Sequence, residues 1–318
     1  MSRTPISIGL SAAIVSVEKE EPCALVVAHE DQDDSLPFGP FDPENHRTLE
    51  QGLRKWVGEQ TRFNLGYTEQ LYTFGDRGRH LSSSATGNAR VVSVGYLALT
   101  RQGEEDASAP KRETRWRGWY HYFPWEDWRA ARPPMIERLI LPRLRQFVKD
   151  GTSPQAAEQR RDRVRLCFGA DGVAWDEEKV LERYELLYEA GLVRESARDS
   201  GKAATGAEEL GAAMMYDHRR ILATAIARVR GKMKYRPVVF ELMAPSFTLL
   251  ELQRTVEALL GRRLHKQNFR RLVAEQGLVE GTGKFAASAR GRPAELFRFR
   301  RDVLRERPAP GLRLGARR

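Results

Sequence analysis

The stretch from Phe247 to Phe299 admits few folds. Thr248 is followed three residues later by Glu251, the spacing of a capping box, in which each side chain satisfies a free backbone donor at a helix start. Leu249, Leu252, Val256, Leu259 and Leu260 recur at helical period, and Gly261 stops the run. A short turn, Arg262 to His265, leads into a second helix predicted over Lys266–Gln276 and closed by Gly277. Two strand-like runs follow, Leu278–Gly281 and Ala294–Phe299, separated by a loop of glycines, small residues and cations from Thr282 to Pro293. Helix, turn, helix and hairpin in that order make a winged helix-turn-helix.

The second helix resolves into faces. Phe269, Leu272 and Val273 fall within less than half a turn and are expected in the core. At about 100° per residue, Gln267, Arg270, Arg271 and Ala274 lie opposite. Arginine and glutamine suit paired hydrogen bonds to base edges in a major groove. Lys266 and Asn268 flank that face, and Lys284, Arg290 and Arg292 punctuate the loop as a wing following the DNA backbone would require. A double-stranded DNA operator is the expected partner, and a homodimer follows because one winged helix reads one half-site.

Charge supports this division of labour. The 318 residues carry a net +10, but Tyr216–Arg318 holds 24 Lys and Arg against 9 Asp and Glu, a net +15, while residues before it sum to −5. A basic end on a mildly acidic body points to nucleic acid rather than a membrane surface, since the cations belong to a folded pattern. No run approaches the ~20 apolar residues of a membrane span, no secretory leader is evident, and the location expected is the cytoplasm. Cys23 and Cys167, far apart in apolar runs, read as buried free thiols without zinc spacing.

The body reads as strands at Ile6–Val17 and Ala24–His29, a helix at Arg47–Phe63, and strands at Gln70–Phe74, Arg90–Thr100 and Trp119–Pro124. This is an α+β or α/β sandwich without regular βαβ alternation. Helices are then expected after Pro133-Pro134, over Gln155–Phe168 and over Glu177–Ala190. Glu195–Glu208 is polar and reads as a mobile linker. Asp217–Gly231 is a clear helix, expected to be the first of the DNA-binding module, and Arg307–Arg318 is a basic tail expected to be disordered.

Leu36-Pro37-Phe38-Gly39, Leu53-Arg54, Glu59 and the Gln70–Asp76 stretch resemble a Nudix domain. Together with Phe240-Glu241-Leu242, Phe247-Thr248-Leu249, Leu252-Gln253, Asn268-Phe269-Arg270-Arg271 and Gly291-Arg292-Pro293, the chain resembles the Nudix-related transcriptional regulators of bacterial NAD metabolism. The resemblance covers Ile6–Trp125 and Tyr216–Phe299 and implies a Nudix-like effector domain over 1–128, a helical insertion over 129–215, a winged helix domain over 216–302 and a basic tail over 303–318.

Active Nudix hydrolases hold divalent metal on the glutamates of a signature helix. Here the matching run is Arg54-Lys55-Trp56-Val57-Gly58-Glu59-Gln60-Thr61, with Lys55 and Gly58 at two acidic positions and Thr61 at the glycine. A cation and a missing side chain are expected to abolish the metal site, leaving no catalytic residues and no required cofactor. The resemblance implies instead a repressor that senses ADP-ribose or a related NAD-derived nucleotide. Asp76, Arg77 and Arg79 are candidates for ribose and phosphate contacts, and Phe38 and Phe74, with the aromatics of Trp119–Trp125, for an adenine stacking face. Two competing readings are an active pyrophosphohydrolase with a nucleic-acid-binding appendage and a DNA-binding protein without an effector.

Overall fold

The computed structural model describes residues 6–30, 32–61, 63, 65–76, 90–101, 114–201, 210–286 and 293–312. At its centre is strand β1 (Ile6–Glu18), paired antiparallel with β2 (Glu21–Val27) and β3 (Phe38–Pro40). Strand β5 (Arg90–Leu99) runs parallel to β1, β4 (Tyr67–Phe74) pairs antiparallel with β5, and β6 (Thr114–Gly118) pairs antiparallel with β2. The sheet order is β4-β5-β1-β2-β6, with β3 on β1.

Successive residues of β1 point to opposite faces, and both faces are covered. Leu10, Ala12 and Ile14 join Leu53 and Val57 of helix α1 (Leu49–Gln60). Ala13 and Val15 join Ile221, Leu222 and Ala225 of a later helix, α6 (His218–Lys232). The result is a three-layer sandwich, α1, sheet and α6. Gly95 of β5 permits the close approach of α6, because a Cβ there would stand 3.0 Å from the Ile221 side chain.

The helix expected to open the DNA-binding module is therefore the second cover of the sheet. Its apolar stripe was legible, but a stripe does not say which core it faces. The 119–124 segment also differs from expectation. It forms two 3-10 turns, Trp119–His121 and Pro124–Glu126, rather than a strand. Trp119, Tyr122, Phe123 and Trp125 are all fully buried, so the chain there plugs a core instead of lining one face. The neighbouring strand, β6, lies earlier and alternates Arg115, Trp116 and Arg117.

Between β6 and α6 the chain makes a π-helical turn (Ile136–Ile140), then α2 (Leu141–Lys149), α3 (Pro154–Phe168), α4 (Val180–Glu189) and α5 (Arg194–Ser200). Helix α5 occupies part of the expected mobile linker. Its Glu195 is buried because it accepts from Arg219 (3.2 Å) and the Met214 N–H (3.0 Å). Residues 202–209 of that linker lie outside the described residues.

The C-terminal module comprises a 3-10 turn (Val238–Leu242), α7 (Leu249–Leu260), α8 (Lys266–Gln276), β7 (Val279–Phe285), β8 (Glu295–Phe299) and α9 (Val303–Glu306). The Thr248–Glu251 capping box forms, and Gly261 and Gly277 end α7 and α8 in the left-handed conformation. The tail is partly docked: Pro310, Gly311 and Leu312 are buried, and the Leu312 N–H donates to Met233 O at the end of α6 (2.7 Å). Both cysteines are buried free thiols, and burial pushes the Cys23 thiol up to about 11.

Candidate DNA interface and effector site

Helix α8 buries Phe269 and Val273 and exposes Lys266, Gln267, Asn268, Arg270 and Arg271. Arg271 lies 3.7 Å from Glu275 on the same helix, a loose pair in solvent. Lys284 is exposed on β7, its N–H donating to Thr282 Oγ1 (3.2 Å). Arg290 and Arg292 lie outside the described residues.

The turn into α8 is fixed by one buried carboxylate. Glu257 of α7 accepts from the Leu264 N–H (3.0 Å), Gln253 (2.8 Å) and Arg263 (2.8 Å). Burial works to raise its carboxyl, but these donors and the Arg263 charge outweigh burial and hold it below the ordinary glutamate range. The tip of the β1–β2 hairpin reaches the same turn. Lys19 and Glu20 there adopt φ of 47° and 66°, and the Glu20 carboxylate lies 3.6 Å from Arg254 and 3.8 Å from Arg263.

A second, fully buried cluster ties that turn to the sandwich and the helical insertion. Glu126 pairs with Arg183 of α4 (2.5 Å) and Arg230 of α6 (2.6 Å). Arg230 also donates to Leu259 O of α7 and Glu177 O, each at 2.9 Å. The Trp128 N–H donates to Gly261 O (2.6 Å), and Tyr120 to Ala258 O (2.6 Å). Gly261 has φ +72°, and a Cβ there would stand 2.3 Å from Glu126 O, so the packing is as demanding as the backbone.

The residues expected to bind an effector separate. Phe38 is partly buried and meets the rings of Tyr216 and His218, each with centroids at 5.1 Å. Its backbone is bracketed by Gln60, which accepts from the Phe38 N–H (3.1 Å) and donates to its carbonyl (2.5 Å). Asp76 pairs with Arg220 of α6. Arg220 also pairs with Glu185 and with Asp217 (3.2 Å), and its guanidinium lies 5.1 Å from the Phe74 ring. Phe74 itself is 1% exposed and belongs to the core, which corrects the stacking role expected for it. Trp119, Tyr122, Phe123 and Trp125 are core by the same measure. Arg77 and Arg79 lie outside the described residues.

Phe38 and Asp76 thus both converge on the start of α6. Tyr216, His218 and Arg220 were not singled out from sequence, because they were read as belonging to another domain. His218 is anchored by the Leu36 N–H (3.1 Å) and Ser11 (3.4 Å), and Tyr216 is held at φ 51°.

The signature helix is built for structure. Arg54 donates to Glu50 (2.9 Å), Thr68 (3.0 Å) and Leu65 O, lashing α1 to the strand beyond it. Lys55 and Glu59 are exposed, and a Cβ at Gly58 would meet nothing within 4 Å. Thr61 is buried as the end cap, donating to Val57 O (2.7 Å). These residues do not fit a divalent ion, and among the described residues no group of three His, Cys, Asp or Glu is placed to hold one.

Residues 239–299 match the family model of the NrtR DNA-binding winged helix domain. Shewanella oneidensis NrtR, crystallised with a 27mer DNA, is similar in fold, with a TM-score of 0.54 and 19% identity over 93% of this chain and 94% of that one. A MutT/nudix family protein from Enterococcus faecalis is similar at a TM-score of 0.53 and 15% identity, covering 94% of this chain and 88% of that one. These likenesses speak to fold. The class defined by sandwich and C-terminal module together is a Nudix-like fold joined to a winged helix. Residues 239–299 carry an NrtR-type winged helix domain, and the whole chain is similar in fold to NrtR. In sequence it is 42% identical over 86 residues to the ADPR responsive transcriptional repressor NtrR of Acinetobacter baylyi. That match takes in 27% of this chain and about a third, 34%, of the relative.

Proposed function

We propose that this protein is a DNA-binding transcriptional repressor whose Nudix-like domain senses an NAD-derived nucleotide such as ADP-ribose. The observation that carries the reading is the outward face of α8, where Lys266, Gln267, Asn268, Arg270 and Arg271 are all exposed around the buried Phe269 and Val273. Gln267, Arg270 and Arg271 read bases, while Lys266, Asn268, Lys284, Arg290 and Arg292 hold the backbone. The protein acts as a dimer on a palindromic operator in the cytoplasm. The sensor takes in 1–128 and is closed by α6, the insertion runs over 129–215, and the winged helix domain ends near 302.

The effector binds beside Phe38 and Asp76, at the start of α6, with Arg77 and Arg79 as further candidate contacts. A phosphate there competes with Asp76 for Arg220. Helix α6 then carries the change ~15 Å to Arg230, which grips α7. The ligand releases DNA only to the extent that it binds the released geometry more tightly. The domain is a sensor and not a pyrophosphohydrolase, which the cation at Lys55 and the bare Gly58 support.

Selection of bound DNA from a random pool, with and without ADP-ribose, tests the reading. A palindromic site lost on adding nucleotide is expected, and failure to enrich any sequence would overturn it. Metal-dependent turnover of ADP-ribose at ordinary enzyme rates would overturn the sensor assignment.

A further inference from the structure

We propose that the helical insertion carries a second DNA-contacting surface: Arg138, Arg145 and Lys149, in one row along the π turn and α2, grip phosphates flanking the half-site read by α8. The proposal rests on the DNA-binding reading above and extends it to a segment with no role yet assigned.

The row follows from helix geometry. Arg145 and Lys149, four residues apart, share one side of α2, and Arg138 lies in the wider π turn that leads into it. The opposite side buries Ile136, Ile140, Leu141, Leu144 and Val148, so the three cations are turned outward, and all three are exposed. The eleven steps from Arg138 to Lys149 rise at most ~16 Å. At about 3.4 Å of axis per nucleotide of one strand, that length runs beside roughly five phosphates.

The charge is uncommitted. From Arg132 to Arg165 the insertion holds 9 basic and 4 acidic residues. Several of its other arginines are engaged: Arg132 with Glu137 (2.9 Å), Arg163 with Glu189 (2.5 Å), Arg165 with Asp162 (3.2 Å), and Arg160 over the Phe147 ring (4.0 Å). The adjoining acid Asp150 accepts from Gln146 (2.8 Å). Among the described residues, Arg138, Arg145 and Lys149 enter no ion pair.

The insertion that carries the row is also tied to the DNA-reading module. Trp128 donates to Gly261 O at the turn before α8 (2.6 Å), Glu177 pairs with Arg262 in that turn (3.3 Å), and Arg183 shares Glu126 with Arg230. The insertion is thus pinned to the turn that aims α8. A polyanion held by α8 is the partner whose charge complements an unpaired basic row mounted on the same anchor.

The test compares the full-length protein with the triple variant Arg138→Gln/Arg145→Gln/Lys149→Gln. Each is titrated by fluorescence anisotropy, across a salt series, against the selected site alone and against the same site with about 15 flanking base pairs on each side. The expected result on the flanked duplex is a salt slope shallower by about two to three and an affinity about tenfold or more weaker at low salt. On the short duplex the two proteins bind alike. An unchanged melting temperature shows that the variant is folded. If slope and affinity match wild type on both duplexes, the proposal fails and the row serves another partner. The double variant Arg270→Ala/Arg271→Ala is run alongside. If it too binds like wild type, or if wild type binds neither duplex, the α8 reading fails first.

Discussion

The Glu126 carboxylate and the Arg230 guanidinium meet at 2.6 Å with essentially no solvent on either side chain. Glu126 belongs to the chain leaving the sheet, and Arg230 to the helix covering it. Arg183 completes a triad, and Arg230 also donates to backbone carbonyls of α7 and of the insertion and to the Tyr120 hydroxyl. Charges removed from water this fully are tolerated only when paired on every side. The triad is therefore a place where sandwich, insertion and winged helix module share one set of bonds.

Breaking it by one partner strands the others. Arg230→Ala is expected to lower unfolding stability by about 3–5 kcal/mol, read from the midpoint of a urea titration. A loss below about 1 kcal/mol would show that the interior admits water at this point.

Acid should loosen the buried Glu126 and Glu257. Burial favours the neutral form of Glu126, but the charges of Arg183 and Arg230 outweigh it and hold its carboxyl below the usual range, and Glu257 is shifted the same way. A depressed carboxyl stabilises the fold above its unfolded-state value, about 4.3 for glutamate. That stability is lost as pH falls through the folded value. Urea midpoints should hold steady down to about pH 5 and then fall. Glu126→Gln should flatten part of that fall, and an equally steep profile in the variant would remove Glu126 as a source.

Replacing Arg270 or Arg271 by Ala separates base reading from backbone contact. A base reader loses about 1–3 kcal/mol at the selected operator and little on random DNA. A phosphate contact loses similarly on both, with a salt slope shallower by about one. Anisotropy titrations on the two DNAs decide which applies.

Glu257→Ala removes the acceptor for the Leu264 N–H and for Arg263, loosening the turn without touching the exposed face of α8. An unpaired buried donor costs about 1–3 kcal/mol. Operator affinity is expected to fall although no DNA-facing residue has changed. Unaltered affinity would mean that α8 is aimed by its hydrophobic contacts alone.

Arg220→Ala tests the path from the effector site. A charge-assisted hydrogen bond contributes about 1.5–3 kcal/mol, so the ADP-ribose concentration for half-release of DNA should rise about tenfold or more. An unmoved half-release point would take Arg220 out of the path.

The winged helix was legible because its signals are local. A capping box, two stop glycines and a 3.6-residue period each act within a few residues. The sandwich strands β1 and β5 were legible from β-branched alternation. What sequence alone did not show were decisions made at long range. The apolar stripe of α6 is the same whether it meets α7 or the sheet. The aromatics of 119–125 suit a strand until burial on every side rules one out. Glu195 sits in a polar stretch that reads as linker, and Arg219 and the Met214 N–H, distant in sequence, make it interior. Of the candidate effector contacts, Phe38 and Asp76 meet residues at the start of α6, and Phe74 lies in the core. Their meeting point on α6 depended on that same helix assignment.

Helix α6 is claimed at one end by Phe38 and Asp76 and at the other by Glu126 and α7, with the sheet along its flank and the docked tail at its foot. A part held at so many points has no slack in which to absorb a small push. If the proposed effector acts through it, sandwich, insertion and reading head shift together between two arrangements, and ligand changes how many molecules hold each one and not how far any of them bends.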